Sequence, residues 1–149
     1  MFHLADAWAT FAITAVGGRH VMVRRFDPEG VMRVTERERV TISNLIPTML
    51  NLMTKHERIS SFDFSSLRVL LSGGAPIAPE VVKSTMQAFG CDYIQTYGMT
   101  ETSPVSFQSG VDDPLEKRVS TVGRIHPHVE VKAVGPDGAT VAVGKPRSS

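Results

Sequence analysis

Two apolar runs that each lead directly into a glycine-bearing loop constrain the fold of this chain most. The runs are residues 67–71 and 93–96, and the loops are Ser72-Gly73-Gly74-Ala75-Pro76 and Tyr97-Gly98-Met99-Thr100-Glu101. A helix is predicted between them, because Pro79 suits the first helical position and Gly90 suits the residue after the last. Strands that alternate with helices favour a parallel sheet. Both loops are therefore expected at one carboxyl edge of an α/β sheet, where such sheets bind ligands.

The rest of the chain continues this alternation up to about residue 102. Helices are predicted at 4–16, 27–39 and 47–55, and β-structure is predicted at 20–23 and 40–46. From residue 103 a loop leads to an alternating apolar pattern at 129–134, a turn at 135–138 and a returning strand at 140–143. The predicted fold class is therefore α/β, with a layered, mostly parallel sheet followed by the start of a small β element.

Composition limits the classes of partner. With 42% hydrophobic and 21% charged residues, the chain has the composition of a soluble globular protein. Its formal net charge of +1, with both signs interspersed, gives no reason to expect nucleic acid as a partner. The single cysteine, Cys91, excludes an internal disulfide and suits a cytoplasmic location. The apolar stretch 2–16 contains Asp6 and is shorter than the ~20 residues of a membrane span, so no integral membrane segment is predicted.

The side chains of the two loops suit a nucleotide. Tyr97 offers a flat face to a purine, Thr100 a hydroxyl to a phosphate, and Glu101 a hard oxygen to Mg²⁺. Gly73 and Gly74 allow a ligand to approach the backbone closely. Either loop alone is more simply explained as a strand-to-helix turn or a half-buried aromatic residue. Together, at one sheet edge, the two loops favour nucleotide binding.

The two loops in this order resemble the adenylate-forming (AMP-binding) superfamily of acyl-CoA synthetases, peptide-synthetase adenylation domains and luciferases. Met1-Phe2-His3 and Val122-Gly123-Arg124 fall at matching places, and residues 101–105 and 123–130 are most similar to fatty-acyl-CoA synthetases. The resemblance implies that ATP and a carboxylic acid give an acyl-adenylate and pyrophosphate, and that the thiol of coenzyme A (CoA) then displaces AMP. It also implies Mg²⁺, which together with hydrogen-bond donors neutralises the phosphates.

The same resemblance assigns site residues. Thr100, Glu101 and His3 are the expected catalytic residues, with Glu101 as the Mg²⁺ ligand, Thr100 at the α-phosphate and His3 at the mouth of the acyl pocket. The expected nucleotide-binding residues are Gly73, Gly74, Ala75, Pro76, Gln95, Thr96, Tyr97, Gly98, Met99 and Thr100. The expected acyl pocket comprises His3, Ala5, Gly98, Met99, Pro104 and Val105, together with Gly73. The small side chain of Ala5 favours a roomy aliphatic site, so a medium- or long-chain fatty acid is the expected substrate.

Compared with such enzymes, the chain is expected to be a fragment of the large N-terminal domain. Residues 1–118 correspond to part of the α/β adenylation subdomain, and residues 119–149 to the start of a β subdomain. The family's lysine-bearing phosphate loop is expected before the Phe-His motif, and its ribose-binding aspartate and C-terminal domain beyond this sequence. We therefore expect the chain to be inactive alone, since these groups stabilise charge in the transition state. The identity of the acid and the oligomeric state are left open.

Other functions compete with the ligase interpretation. A non-enzymatic module that retains the adenine cleft for binding is the main alternative. A dinucleotide-dependent oxidoreductase is disfavoured, because no Gly-x-Gly-x-x-Gly turn opens a helix. His126 and His128 do not predict a metal site, since no further ligands have suitable spacing nearby. The charged run at 36–39 is predicted to be the solvated face of a helix.

Overall fold

The computed structural model describes residues 4–141, with side chains from residue 7 onward. The helices are α1 (Leu4–Ala15), α2 (Pro28–Arg37), α3 (Pro47–Thr54), α4 (Pro79–Phe89) and α5 (Leu115–Ser120). The strands are β1 (Ile42–Asn44), β2 (Val69–Ser72), β3 (Asp92–Tyr97), β4 (Phe107–Gln108) and β5 (Arg124–Ile125), and short 3₁₀ turns lie at Ile59–Ser61 and Thr100–Thr102. None of the described helices is long and apolar enough to cross a membrane.

The strands form one sheet in the order β1-β2-β3-β4-β5. β1, β2 and β3 run parallel, with Ile42 opposite Val69 and Val69 opposite Asp92. β4 and β5 extend this sheet in antiparallel fashion, beginning with Thr96 opposite Gln108. The predicted α/β fold with a mostly parallel sheet is confirmed. The sequence pattern does not reveal β4 and β5, because strands of two residues have no detectable alternation.

Proline and glycine set the helix ends, and the helices predicted from the sequence are confirmed. The side chain of Asp27 caps α2 by accepting a hydrogen bond from the Gly30 amide at 2.7 Å. Proline is the first residue of α2, α3 and α4, where its missing amide leaves no hydrogen bond unmade. α4 ends at Gly90, whose φ of 62° lies in the left-handed region that glycine adopts at little cost.

The hydrophobic core lies between α2, α3 and α4 and the strands β2 and β3. Met32, Leu50 and Val82 from the three helices are fully buried, as are Leu70 and Tyr93 from the two strands. Burying one such side chain contributes roughly 1.5–3 kcal/mol. Because Leu70 and Tyr93 come from neighbouring strands, the core fixes the two strands whose carboxyl ends carry the glycine-bearing loops.

Two predicted strands are wrong. Residues 20–23 have no strand partner in the described part of the chain and are irregular. The alternating segment 129–134 also forms no strand, and a single antiparallel bridge joins Val134 to Thr140. The turn predicted between those two residues forms, whereas residues 142–143 of the expected returning strand lie outside the described residues. Alternation favours a strand only where a neighbouring strand covers one face. Among the described residues, 20–23 have no such neighbour, and 129–134 have only the single bridge at Val134.

The charged run at 36–39 is only partly the predicted solvated helix face. Its two arginines are exposed, but its two glutamates are half-buried. Glu38 accepts hydrogen bonds from Arg19 and from Arg37, both at 2.8 Å. These bonds hold the pKa of Glu38 below its ordinary value. Glu38 therefore ties the end of α2 to the segment that follows α1.

Candidate active site

A cavity of about 590 Å³ lies at the carboxyl ends of β1, β2 and β3. It is bounded by α1, the first turn of α3 and the two glycine-bearing loops. Its lining residues are Trp8, Ala9, Asn44, Ile46, Met49, Gly73, Gly74, Thr96, Tyr97, Gly98, Met99, Thr100, Pro104 and Val105. The volume falls within the roughly 300–1,000 Å³ of small-molecule sites. The position is the sheet edge at which α/β proteins bind ligands.

The first loop follows β2 and lies directly against β3. A Cβ at Gly73 would overlap the hydroxyl of Thr96 and lie 2.5 Å from its carbonyl oxygen, so only glycine fits there. The Thr96 hydroxyl donates a hydrogen bond to the Ser72 carbonyl at 3.2 Å, which joins the ends of the two strands. Gly74 has a φ of +79°, and a Cβ there would meet no atom within 4 Å. The backbone at Gly74 is therefore open to an incoming molecule.

The second loop begins at Tyr97, the last residue of β3. Its side chain is 46% exposed, which is high for an aromatic residue at the end of a central strand. The ring meets Phe107 of β4 in an edge arrangement, with ring centroids 5.9 Å apart. This contact fixes the ring on one side and leaves aromatic surface facing the cavity. A planar ligand group could stack there.

The Thr100–Thr102 turn follows directly. Thr100 lines the cavity, whereas Glu101 is exposed on the same turn and is not among the lining residues. Within residues 4–141, no cluster of three or more His, Cys, Asp or Glu side chains could hold a metal ion by itself. A cation at this edge would therefore need ligands from a bound molecule as well as from Glu101.

Most of the residues expected at the site lie around this one cavity. Those in the lining are Gly73, Gly74, Thr96, Tyr97, Gly98, Met99, Thr100, Pro104 and Val105. Ala75 and Pro76 are exposed and follow Gly74 outside the lining, and Gln95 accepts a hydrogen bond from the Tyr93 hydroxyl at 2.6 Å. His3 and the side chain of Ala5 lie outside the described residues.

Five further lining residues were not predicted from the sequence, namely Trp8, Ala9, Asn44, Ile46 and Met49. Trp8 and Ala9 follow Ala5 by three and four positions, so helical periodicity places all three on one face of α1. Asn44 ends β1, and a parallel strand beside β2 must bring its carboxyl end to the same edge. The helical periodicity of α1 and the position of Asn44 at the end of β1 can be read from the sequence. Whether Met49 reaches the cavity depends on how α3 packs against the sheet.

Two buried ionisable side chains near the sheet, Tyr93 and Cys91, stay neutral at neutral pH. Burial raises the pKa of Tyr93 to about 12 and that of Cys91 to about 11. Neither side chain therefore supplies a base or a thiolate nucleophile at neutral pH. Among the described lining residues, Tyr97 is the only one with an ionisable side chain. The described lining offers hydroxyls, backbone groups and aromatic surface, and no carboxylate, histidine or lysine is among its residues.

The cavity wall divides into two chemically different parts. The apolar part, which we call the apolar side, consists of Trp8, Ile46, Met49, Met99, Pro104 and Val105. The polar part, which we call the polar side, consists of the glycine backbone of the two loops with Thr96 and Thr100. A ligand that suits both sides has an apolar portion joined to a planar, hydrogen-bonding portion. This arrangement suits a site that binds and orients a molecule, and the described lining contains no activated nucleophile.

Comparison with known proteins gives consistent matches. A family model described as AMP-binding enzyme matches residues 1–146. YngI of Bacillus subtilis strain 168, whose name proposes an acyl-CoA synthetase, is 37% identical over 126 residues, or 84% of this chain and 23% of YngI. A feruloyl-CoA synthase from an Amycolatopsis species is 35% identical over 146 residues, or 97% of this chain and 29% of that protein.

A solved structure extends the likeness to the fold. The long-chain-fatty-acid-CoA ligase FadD1 from Archaeoglobus fulgidus matches with a TM-score of 0.85 at 26% identity, over 97% of this chain and 31% of FadD1. The chain thus spans between 23% and 31% of the length of these proteins. Their names describe different acids, so the matches do not single out one substrate.

Proposed function

This chain belongs to the AMP-binding enzyme family, and on that premise we propose that it forms the nucleotide- and acyl-binding part of an ATP-dependent acyl-CoA synthetase. In the proposed reaction a carboxylate oxygen attacks the α-phosphorus of ATP and pyrophosphate leaves, giving an acyl-adenylate. The thiol of CoA then attacks the acyl carbon, and AMP leaves. The observation that carries the proposal is the single cavity that both glycine-bearing loops and an apolar wall share.

The adenine ring is proposed to lie against Tyr97. Support comes from the ring contact with Phe107, which holds Tyr97 in place, and from the open backbone at Gly74. Ala75 and Pro76 would border the other side of the purine, since they continue the loop from Gly74. The remaining proposed nucleotide contacts are Gly73, Gln95, Thr96, Gly98, Met99 and Thr100.

The phosphates are proposed to lie at the Thr100–Thr102 turn. The exposed carboxylate of Glu101 fits Mg²⁺, an ion that proteins often hold through one or two carboxylates while phosphates and water complete its shell. When bound, Mg²⁺ would neutralise phosphate charge. Thr100 lines the cavity next to Glu101 in the sequence, and its hydroxyl would donate a hydrogen bond near the α-phosphate.

The acyl chain is proposed to occupy the apolar side of the cavity. Met99, Pro104 and Val105 line this side, together with Trp8 and Ile46. Such a wall suits a medium- or long-chain fatty acid, because each methylene group buried against apolar surface contributes roughly 0.8 kcal/mol to the free energy of binding. His3, Ala5 and Gly98 complete the proposed pocket, with His3 orienting the carboxylate.

The absence of an ionisable base from the described lining is compatible with this chemistry. A carboxylic acid with a pKa near 4 is already ionised at neutral pH, so it attacks phosphorus without a general base. The protein's task is then to hold two anions close together and to supply donors to them. The hydroxyls and backbone groups at the polar side suit that task.

We further propose that residues 1–118 act as the α/β adenylation subdomain and that residues 119–149 begin a β subdomain. The proposed location is the cytoplasm, which the single buried Cys91 suits.

Direct binding tests the nucleotide assignment. Isothermal titration of the purified chain with AMP and with a dodecanoyl-adenylate analogue is expected to show saturable binding. Tyr97→Ala should weaken it by the ~1–3 kcal/mol that base–aromatic stacking contributes, whereas Tyr97→Phe should bind within about twofold of the unaltered chain. Equal affinities for the alanine and phenylalanine variants would contradict stacking on Tyr97.

Exchange kinetics test the ligase assignment. ATP–pyrophosphate exchange should be measured with octanoate, hexadecanoate and ferulate, using the longest natural polypeptide that contains this chain. Acid-dependent exchange that is strongest with an aliphatic acid is expected. Exchange with ferulate alone would contradict the proposed acyl chain. Nucleotide binding without exchange would instead favour a non-enzymatic binding module, the second candidate.

A further inference from the structure

The Thr102 hydroxyl makes every hydrogen bond available to it, and all of them lie within one loop. It accepts from the Met99 amide at 3.1 Å and donates to the Met99 carbonyl at 3.1 Å. It also accepts from the Ser106 hydroxyl at 2.8 Å. A threonine hydroxyl has one proton and two lone pairs, so its bonding capacity is saturated.

Ser106 anchors this arrangement to the sheet. Its amide donates to the Tyr97 carbonyl at 2.8 Å, and its carbonyl accepts from the His126 amide at 2.9 Å. The residue is only 4% exposed. Its hydroxyl therefore connects Thr102 to a rigid point between the end of β3 and the residue after β5. We call Thr102 and Ser106 the hydroxyl pair.

The turn that carries Thr100 and Glu101 needs such an external tie. A three-residue 3₁₀ turn is not stable alone, because the conformational entropy lost in fixing its backbone outweighs the free energy of its few internal hydrogen bonds. The turn also ends at Ser103, whose φ of +59° is uncommon for a residue other than glycine. Without the hydroxyl pair, Thr100 and Glu101 would sample several orientations relative to the cavity.

We propose that Thr102, held by Ser106, is a positioning residue that fixes the Thr100–Glu101 turn for binding of nucleotide phosphates. This role rests on the proposed function, since it presumes that the turn meets the phosphates. Thr102 acts through its neighbours and is not among the residues that line the cavity. Its contribution is to order two exposed side chains before the ligand arrives, which lowers the entropic cost of binding.

Three variants of the full chain test the role. Thr102→Val keeps the shape and removes all three hydrogen bonds, Thr102→Ser keeps the hydroxyl, and Thr54→Val removes a comparable hydroxyl bond to the Asn51 carbonyl at the far end of α3. Titration with Mg²⁺–ATP should show about five- to tenfold weaker binding for Thr102→Val. Thr102→Ser and Thr54→Val should each bind within about twofold of the unaltered chain.

Amide hydrogen exchange provides a readout that needs no ligand. The Met99 amide should exchange faster in Thr102→Val and retain its protection in Thr102→Ser. Unchanged Met99 exchange in Thr102→Val, or equally weak binding by both Thr102 variants, would overturn the positioning role. If the unaltered chain fails to bind nucleotide at all, the proposed function fails and this role fails with it, whatever the exchange data show.

Discussion

Gly98→Ala is expected to destabilise the chain through contacts within its own loop. A Cβ at this position would overlap the Pro104 carbonyl and lie 2.9 Å from the Cα of Val105. Both are backbone atoms, and the bond from the Ser106 amide to the Tyr97 carbonyl at 2.8 Å holds that segment in place. The segment must therefore move to admit the methyl group. Overpacking of this kind costs about 1–3 kcal/mol.

Urea unfolding measures this cost. With an m-value of about 2 kcal/mol/M, a loss of about 2 kcal/mol lowers the midpoint by roughly 1 M. Gly110→Ala is the matched control, because its Cβ would have as its nearest neighbour the Asp113 Oδ2 at 3.5 Å, an ordinary contact. Both substitutions restrict the unfolded chain in the same way, so the difference between their midpoints isolates the overlap at residue 98.

The outcome can refute the reasoning clearly. Gly98 and Pro104 both line the cavity, so weaker AMP binding should accompany the lower midpoint. A Gly98→Ala midpoint equal to that of Gly110→Ala would show that the loop absorbs a methyl group without strain. Close contact would then not explain the glycine at this position.

Three further predictions concern stability and reactivity. Leu50→Ala, at a fully buried position, should lower the free energy of unfolding by about 2–5 kcal/mol in urea titrations, and a loss below about 1 kcal/mol would contradict its place in the core. Because Cys91 is buried, and burial raises its pKa to about 11, a disulfide reagent at neutral pH should label it only as fast as the chain opens. Immediate labelling without urea would contradict that. The Gly110 amide donates a hydrogen bond to Asp113 and lowers its pKa in the folded chain below the ordinary 3.8. The ionised Asp113 therefore stabilises the fold above about pH 4, and this stabilisation is lost as the pH falls through the pKa of the folded chain. The difference in urea midpoint between the unaltered chain and Asp113→Asn should shrink on acidification below about pH 4, and a constant difference would contradict it.

Local signals predict most of the helices and the parallel strands of this fold. Pro28, Pro79 and Gly90 mark helix ends by their own backbone restrictions, which act whatever the surrounding structure. The segments at 20–23 and 129–134 fail for the opposite reason. Their strand character depends on a partner strand, and β-propensity in isolation does not decide whether one is present.

The candidate site divides in the same way. Its two loops are each contiguous in the sequence, so their motifs can be recognised without knowledge of the fold, and six of their residues line one cavity. Trp8 lies in α1, whereas Ile46 and Met49 lie at the start of α3, so they enter the site only when these two segments assemble. The hydroxyl pair of Thr102 and Ser106 is also invisible in the sequence, because serine and threonine are common in loops and nothing in their spacing shows which carbonyl or amide they will meet.

The glycines of the two motifs show that a motif can mark a cavity while the requirement for glycine there has a different cause. Gly73 and Gly98 face the protein's own backbone, at Thr96 and Pro104, so a side chain at either position is excluded with or without a ligand. Gly74 differs, because a Cβ there would meet nothing within 4 Å and only its φ of +79° favours glycine. The need for glycine at 73 and 98 is therefore a property of the fold. Of these three glycines, only Gly74 leaves open backbone surface that a ligand could reach. Under the proposed function, discrimination between ligands therefore comes from the side chains beside it, above all Tyr97.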